Sequence, residues 1–579
     1  MQFKELAQYF EKLEGTSSRL TLIEILSDLF KKTPSTEIEK IVYLIQGRLA
    51  PFFAPIEIGM AEKTIAETLA LAYGSTKEAV IKEFNKLGDM GLAAEQFNLK
   101  SKVANVKSEI SVAQAFKILL EIANTKGNGT VEKREILLSD LLKKLDATSA
   151  KHLVRIPLGN TRLGIGDPTV LDALATAKLG DKSQRKQLEG AYNRTSDLGL
   201  IAKTLWVNGL KAVQKLELRV GYPVRSELCE RLPNPEKVIE KMEVVDAQYK
   251  YDGLRVQLHK NGDEVRMFSR NLEEMTHMFP ELIEAVKKQI KAKTIILDSE
   301  ALAYNLDSEE FLPFQETTKR RRKHGIEEMA KSLPLKAFVF DILYKDGKSL
   351  IDEPLTKRME ILKEVLPEDD VLIRTKNQTI KDAKSLSVLL EDAISKGLEG
   401  LVIKKLESPY EAGARNFNWV KLKRHSSGEL NDTIDCVILG YISGRGKRTA
   451  FGAGALLVGV YDKEKDEFVT VSKVGTGLTD EEWREIHKRA DKIKVENKPA
   501  RVNSAIVPSV WIRPEIVIEI LADEITRSPI HTAGKTETEP GYALRFPRLV
   551  SFRNADKKAE DATSVIELVE MYEQQGKKD

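Results

Sequence analysis

Tyr249-Lys250-Tyr251-Asp252-Gly253-Leu254-Arg255 is the stretch from which the rest of the chain can be read. Its pattern, K-x-D-G-x-R, joins three chemical elements. Lys250 is an amine nucleophile. Gly253 lets backbone approach closely, and Arg255 is a fixed cation suited to phosphate. Matching segments follow in order: Leu297-Asp-Ser-Glu300, Phe338-Val-Phe340-Asp341, Leu398-Glu399-Gly400-Leu-Val-Ile-Lys404 and Trp419-Val-Lys421-Leu-Lys423. Counted from Lys250, the steps are 5 to Arg255, 20 to Arg270, 50 to Glu300, 90 to Phe340, 149 to Glu399 and 171 to Lys421. Taken singly, Glu300, Glu399 and Arg415 read as surface salt-bridge partners, Phe340 as core, and Lys421 and Lys423 as the solvated face of an edge strand. Their ordered occurrence is what sets those readings aside.

Around this centre the chain has 579 residues, enough for about three or four domains. Charged residues make up 31%, but 91 basic against 88 acidic leaves a net charge of only +3. A nucleic-acid surface therefore has to come from local segregation of charge. Cys229 and Cys436 are far apart and form no CxxC, which excludes a four-cysteine zinc site and fits a reducing compartment. Met1-Gln-Phe-Lys-Glu has no apolar signal-peptide core, and the longest apolar runs are too short to span a bilayer. A cytoplasmic protein is expected, with no membrane association.

Residues 1–215 are expected to be helical, with Leu20, Leu22, Ile23, Ile25 and Leu26 spaced for one apolar face. From about residue 216 prolines interrupt the pattern. Strands are then predicted over 243–251, 255–260, 265–269, 295–304 and 337–344, with helices over 280–290 and 357–365. That makes 216–428 an α+β domain. Arg424-His-Ser-Ser-Gly-Glu ends it, and Ser426-Ser-Gly428 is the hinge candidate. Residues 429–579 carry short glycine-punctuated strands (434–441, 455–461, 468–474 and 517–520) around one helix over 480–491, suggesting an all-β barrel of OB type. A helix is predicted over 562–572.

The ordered motifs resemble those of the ATP-dependent DNA ligases of archaeal and eukaryotic replicative type, within the covalent nucleotidyltransferases; the likeness runs from near residue 1 to about 558. It implies an all-α DNA-binding domain, an α+β adenylation domain of nucleotidyltransferase, ATP-grasp-like type, and an OB-fold barrel. It implies a lysyl-AMP intermediate on Lys250, ATP as co-substrate, Mg²⁺ (or Mn²⁺) and nicked duplex DNA, in replication, repair and recombination, acting as a monomer. Arg255, Arg270, Arg415, Lys421 and Lys423 would bind phosphate or ribose. Glu300 would bind ribose hydroxyls or a metal, and Glu399 is the better metal carboxylate. Phe340 would stack on adenine, and Gln248, sharing a strand face with Lys250, would read the base edge. Related ligases often carry Glu there, so nucleotide choice is open.

Arg545-Phe-Pro-Arg548, Arg553 and Asp556-Lys557 resemble the family's last motif, which orients pyrophosphate. Gly164 and Gly166, in Arg162-Leu-Gly-Ile-Gly-Asp-Pro168, resemble a DNA-binding segment whose amides meet phosphates next to a helix start; a plain interhelical turn reads as well. Lys319-Arg-Arg-Arg-Lys323 is either a solvated face or a duplex contact. Ala533-Gly-Lys535-Thr536 is not a Walker A end, because Pro529 stands where the first glycine belongs. His259 is expected to be an ordinary polar position. Phe52-Phe53 lacks the Gln pattern of a sliding-clamp peptide and reads as core. Gly221-Tyr-Pro-Val-Arg-Ser-Glu departs from the family's usual style. An RNA ligase or another lysyl nucleotidyltransferase is the alternative. A capping guanylyltransferase is disfavoured by the long helical front, an NAD-dependent ligase by the missing zinc cysteines, and a DNA-binding scaffold by the intact lysine and carboxylates.

Overall fold

The computed structural model describes residues 1–101, 109–304, 312, 317–322, 324–395, 398–423, 432–442, 454–475, 478–545, 547–553 and 556–575. The hinge candidate Ser426–Gly428 lies outside these, as do Lys323 and Phe546. The chain divides into two compact units. One comprises Met1–Tyr192, Ser196–Leu216 and Lys494–Arg501; the other comprises Asn193–Thr195, Glu217–Ile493 and Val502–Asp579.

The first unit is helical, from Phe3–Glu14 through Leu210–Gln214. Side-chain caps start its helices: Ser18 accepts from Thr21 N, Thr76 from Ala79 N, and Ser111 forms a capping box with Gln114. Gly74 ends the helix Glu62–Tyr73, and Gly88 ends the one that Thr76 starts, at left-handed φ of 68° and 66°. The helix Arg19–Lys32 buries Leu22, Ile23 and Leu26 as its spacing predicts, but Leu20 faces solvent. Phe53 is core, and Arg48 sits 3.9 Å over the Phe52 ring.

The second unit contains eleven strands before residue 424 among the described residues. They are β1 (Leu228–Arg231), β2 (Val245–Lys250), β3 (Leu254–Asn261), β4 (Glu264–Ser269), β5 (Thr294–Ala303), β6 (Leu335–Lys345), β7 (Lys348–Ser349), β8 (Leu372–Arg374), β9 (Asn377–Ile380), β10 (Gly400–Lys405) and β11 (Arg415–Lys423). They form two sheets, ordered β1-β11-β10-β2-β9 and β4-β3-β5-β6-β7, with β8 on β6. Period-two alternation sorts their side chains. Val245, Ala247, Leu401, Ile403, Val420 and Leu422 form the apolar face of the first sheet. Leu254, Val256, Leu258, Leu297 and Val339 form that of the second, packed with helices Pro280–Gln289 and Leu355–Val365. The opposite faces converge around Trp419, Tyr410, Ile296 and Leu343.

Beyond residue 432, strands Val510–Leu521, Ile434–Ile442, Ala455–Asp462, Glu467–Val474 and Val502–Asn503 neighbour one another in that order. Arg548–Phe552 pairs with Val510–Leu521. The long strand begins well before the predicted 517, because Pro514 sits where its register shifts rather than at its start. The hairpin Glu524–Ser528/Gly541–Arg545 was not anticipated. The helix Asp480–Asp491 falls as predicted. The last helix starts at Val565, because Ser564 closes a capping box with Glu567. No helix among the described residues is long and apolar enough to cross a membrane.

Candidate active site

Lys250 ends β2, on the face that also carries Asp246 and Gln248. Register places Gly400, Val402 and Lys404 of β10 beside Lys250, Gln248 and Asp246, and then Lys423, Lys421 and Trp419 of β11 beyond them. Two glycines allow this layout. A Cβ on Gly253 would lie 2.4 Å from the Ala301 carbonyl oxygen. Gly400 has φ of 140°, and a Cβ there would lie 2.2 Å from the Leu422 oxygen.

The Lys250 ammonium contacts the Glu399 carboxylate, and Lys423 Nζ lies 3.7 Å from the same group. Desolvation, with the nearby Lys423 cation, pulls the Lys250 amine down to about 8. Desolvation pushes the Glu300 carboxyl up to about 7, although Lys250 and Arg255 are near. Among the described residues no donor reaches the Glu300 carboxylate. Arg255, opposite Glu300 in the β3–β5 register, closes its fork on Asp298 at 3.1 and 2.5 Å and reaches Tyr410 Oη at 3.4 Å. Its guanidinium is thus already bidentate within the protein. Arg270 is different: its buried Nε has no partner, and it forms no ion pair among the described residues.

Lys421 is lowered to about 7 by desolvation and by Arg231. Arg415 pairs with Glu567 of the last helix, and Lys421 lies 3.7 Å from the same oxygen. Burial would raise Glu567, but Arg415 and Lys421 outweigh it and hold the carboxyl at about 2. Its other oxygen accepts from Ser564 N at 2.9 Å, so one side chain both caps its helix and covers two cations. Asp432 pairs with Arg231 and lies 3.2 Å from Lys423.

Phe340 lies edge-on to Trp419, with the Arg255 and Lys404 cations over its ring at 5.1 and 4.9 Å. The stacked aromatic pair of the region is Tyr251 on Phe338, centroids 3.8 Å apart. Gln248 is buried, and its amide nitrogen donates to Asp246 Oδ2 at 2.7 Å.

Of the late motif, Asp556 is close enough to raise Glu300, and Arg270 is close enough to lower Lys557, which pairs with Asp435. Arg545 and Arg548 stay engaged within the barrel by Thr526 and Asp523. Gly164 and Gly166 do precede a helix, Asp167–Leu179, but Ala500 and Arg501 lie against them at 3.0 Å from where their Cβ atoms would be. In the basic run, Arg320 is buried against Glu281 and Arg321 lies 2.5 Å from Glu273, so two of its charges are neutralised internally. Lys535 donates to the Pro529 carbonyl, an ordinary turn. The divergent Gly221 segment is held by His259, Gln257 and Arg266 through Gly221 N, Val224 N and Gly221 O. His259 is therefore a structural anchor rather than an incidental polar position.

Asp246 and Glu567 lie outside the motifs quoted from sequence, and Phe338 and Val402 lie inside them with no role assigned. Asp246 shares strand parity with Gln248 and Lys250, a signal that was available. Glu567 carries none, since only tertiary folding brings it to Arg415.

A lysine with a depressed pKa, beside two carboxylates and facing a bank of cations, is the equipment of a covalent nucleotidyltransferase. Three family models match: "DNA ligase N terminus" over residues 2–175, "ATP dependent DNA ligase domain" over 226–423 and "ATP dependent DNA ligase C terminal region" over 449–557. A probable DNA ligase of Dictyoglomus turgidum is 47% identical, covering 100% of this chain and 98% of its own. A DNA ligase 2 of Thermofilum pendens is 43% identical and a DNA ligase of Sulfolobus acidocaldarius 39%, with all of this chain covered and 98% and 99% of theirs. The chain belongs to the ATP-dependent DNA ligase family, archaeal type, with N-terminal, adenylation and C-terminal domains.

Proposed function

We propose that this enzyme seals nicks in duplex DNA, in replication, repair and recombination, through a lysyl-AMP intermediate on Lys250. The observation that carries the reading is the Lys250 amine, brought down to about 8 where it meets Glu399 and faces Lys421 and Lys423. The free amine attacks the α-phosphorus of ATP; an N–P bond forms, and the bond to the bridging oxygen breaks as pyrophosphate leaves. AMP then passes to the 5′-phosphate at the nick, and the 3′-hydroxyl displaces it. Such transfers need positioning and charge compensation more than covalent help.

Arg270 has an unpartnered Nε to offer a phosphate. Arg415, Lys421 and Lys423 supply further cations, the first two once Glu567 is displaced. Glu300 takes ribose hydroxyls or a metal. Gln248 meets the base edge, with Val402 beside it as an apolar surface; Phe340 and the Tyr251–Phe338 pair are the aromatic rings for the base. Arg255, its fork taken by Asp298, acts on Glu300 from the adjacent strand through its charge, which lowers that carboxyl against the rise imposed by burial. Lys557 and Asp556 bring the late motif to the nucleotide, and the Gly164–Gly166 loop meets DNA backbone.

Glu300 and Glu399 are hard oxygen donors of the kind Mg²⁺ takes, with most of its remaining positions left to water and phosphate. A Glu300 carboxylate without a donor and pushed up to about 7 is a group that a divalent cation relieves. When bound, Mg²⁺ would neutralise charge on the triphosphate. The test is mass spectrometry of the intact chain after ATP and Mg²⁺, beside Lys250→Ala, followed by nicked duplex. One AMP adduct on the wild type only, discharged with strand joining, is expected. An adduct that nicked DNA cannot discharge moves the acceptor to RNA; no adduct from a de-adenylylated sample refutes the reading.

A further inference from the structure

Gln248 is an amide, and an amide can present either a donor or an acceptor to a base, depending on its flip. In this fold the flip is set. Asp246, two residues earlier on the same face of β2, receives the Gln248 Nε2–H at 2.7 Å, and both side chains are 2% exposed. A carboxylate can only accept, so the amide nitrogen has to face it. Burial raises the Asp246 pKa, and Lys404, across from Asp246 on β10, and Asn377, across from Gln248 on β9, oppose that rise. Gln248 Oε1 is thereby directed away from Asp246. No donor among the described residues reaches it, and it is not among the sealed, unpartnered buried atoms. Its neighbours along the face are Lys250 and Val402.

We propose that Asp246 is a positioning residue for base choice: it pins the Gln248 carbonyl toward the nucleotide base, so that the site accepts a hydrogen bond from a 6-amino purine and rejects a 6-oxo purine. This rests on the reading that Gln248 meets the base. Adenine carries a 6-amino donor; hypoxanthine places an oxygen there, leaving two acceptors face to face, which is an unfavourable buried arrangement. An amide free to flip would satisfy either base. The pinned amide gives the selectivity.

The test is lysyl-nucleotide formation on the whole chain, followed by intact mass, with ATP, inosine triphosphate and purine riboside triphosphate. The wild type ranks them ATP, purine riboside, then inosine, with kcat/KM for ATP above that for inosine by roughly tenfold or more. In Asp246→Asn, whose amide can donate to Gln248 and release the flip, the ATP-to-inosine ratio falls toward one through KM rather than kcat. A merely structural role lowers both nucleotides together and leaves the ratio alone. Adding Gln248→Glu to Asp246→Asn restores the ratio, because a carboxylate presents an acceptor in either orientation. An unchanged ratio in Asp246→Asn overturns the proposal, and so does a wild type that ranks inosine triphosphate level with ATP. If Gln248→Ala keeps the wild-type ratio, the base-reading assignment fails. If Gln248→Ala loses the ratio while Asp246→Asn keeps it, the role of Asp246 alone fails.

Discussion

Replacing Gly253 with Ala adds one methyl group at the place where the lysine strand hands over to the second sheet. An ideal Cβ there lies 2.4 Å from the Ala301 carbonyl oxygen and 2.9 Å from two Leu302 side-chain carbons. Real contacts of this kind stay above 3.0 Å, so β3 and β5 must part by roughly 0.6 Å at minimum. The opposing atom is backbone and cannot rotate away. The next ladder position pairs Arg255 with Glu300, so the displacement reaches the groups facing Lys250. Overpacking of this kind costs about 1–3 kcal/mol, and misplacement approaching 1 Å near reacting groups lowers a rate by about 10²-fold. Single-turnover adenylylation, read as intact mass, should therefore slow by tens to a hundredfold in Gly253→Ala. Gly262→Ala is the control. Its φ is 60°, with nothing within 4 Å of the added Cβ, so it should lose about 1 kcal/mol of stability with adenylylation unaffected. Adenylylation of Gly253→Ala at the wild-type rate would falsify the close-approach argument.

Three further outcomes are expected. Glu567→Gln removes the charge covering Arg415 and Lys421 while keeping a capping side chain; KM for ATP in adenylylation should fall on the order of tenfold, since a carboxylate held at about 2 must otherwise be displaced by phosphate, and a higher KM would contradict this. Arg358→Met takes the bidentate partner from the fully buried Asp341, now held at 2.7 and 3.2 Å by Arg358, and leaves it Lys404 at 3.6 Å and the Ile342 N–H at 2.9 Å. Denaturant unfolding should show a loss of about 3–5 kcal/mol, and a loss below 1 kcal/mol would mean Lys404 suffices. His259 donates from Nε2 to Gln257 and accepts from Gly221 N at Nδ1, and burial pulls it from 6.5 to about 3. The unfolded chain therefore binds the proton first: this contribution is complete above pH 6.5 and is lost as pH falls toward 3, by on the order of a few kcal/mol. His259→Gln should flatten the pH dependence of the melting temperature across that window; an unchanged slope refutes the assignment.

The order of chemistry along the chain was legible from residues alone. Lys250, Glu300, Glu399, Lys421 and Lys423 announce themselves through the ordered series of motifs, and a strand's period of two places Lys421 and Lys423 on one face whatever surrounds them. The helical front, the catalytic strands and the helix Asp480–Asp491 were equally readable, since periodicity and capping are local properties. Strands that exist only by pairing were not. The hairpin Glu524–Ser528/Gly541–Arg545 has no strong alternation of its own, and the strand through Pro514 tolerates proline only because its ladder shifts there. Arg255 looked like a free phosphate cation until the register set Asp298 diagonally across from it. Two charges of the Lys319–Lys323 run turned inward for the same reason: their partners, Glu281 and Glu273, lie some forty residues or more away in sequence. Sequence determined which groups the chain carries and which share a strand face. Tertiary structure alone decided which of them remain free to meet a substrate, because charge compensation and desolvation act through space, and the partners that neutralise or expose a group come from distant parts of the chain.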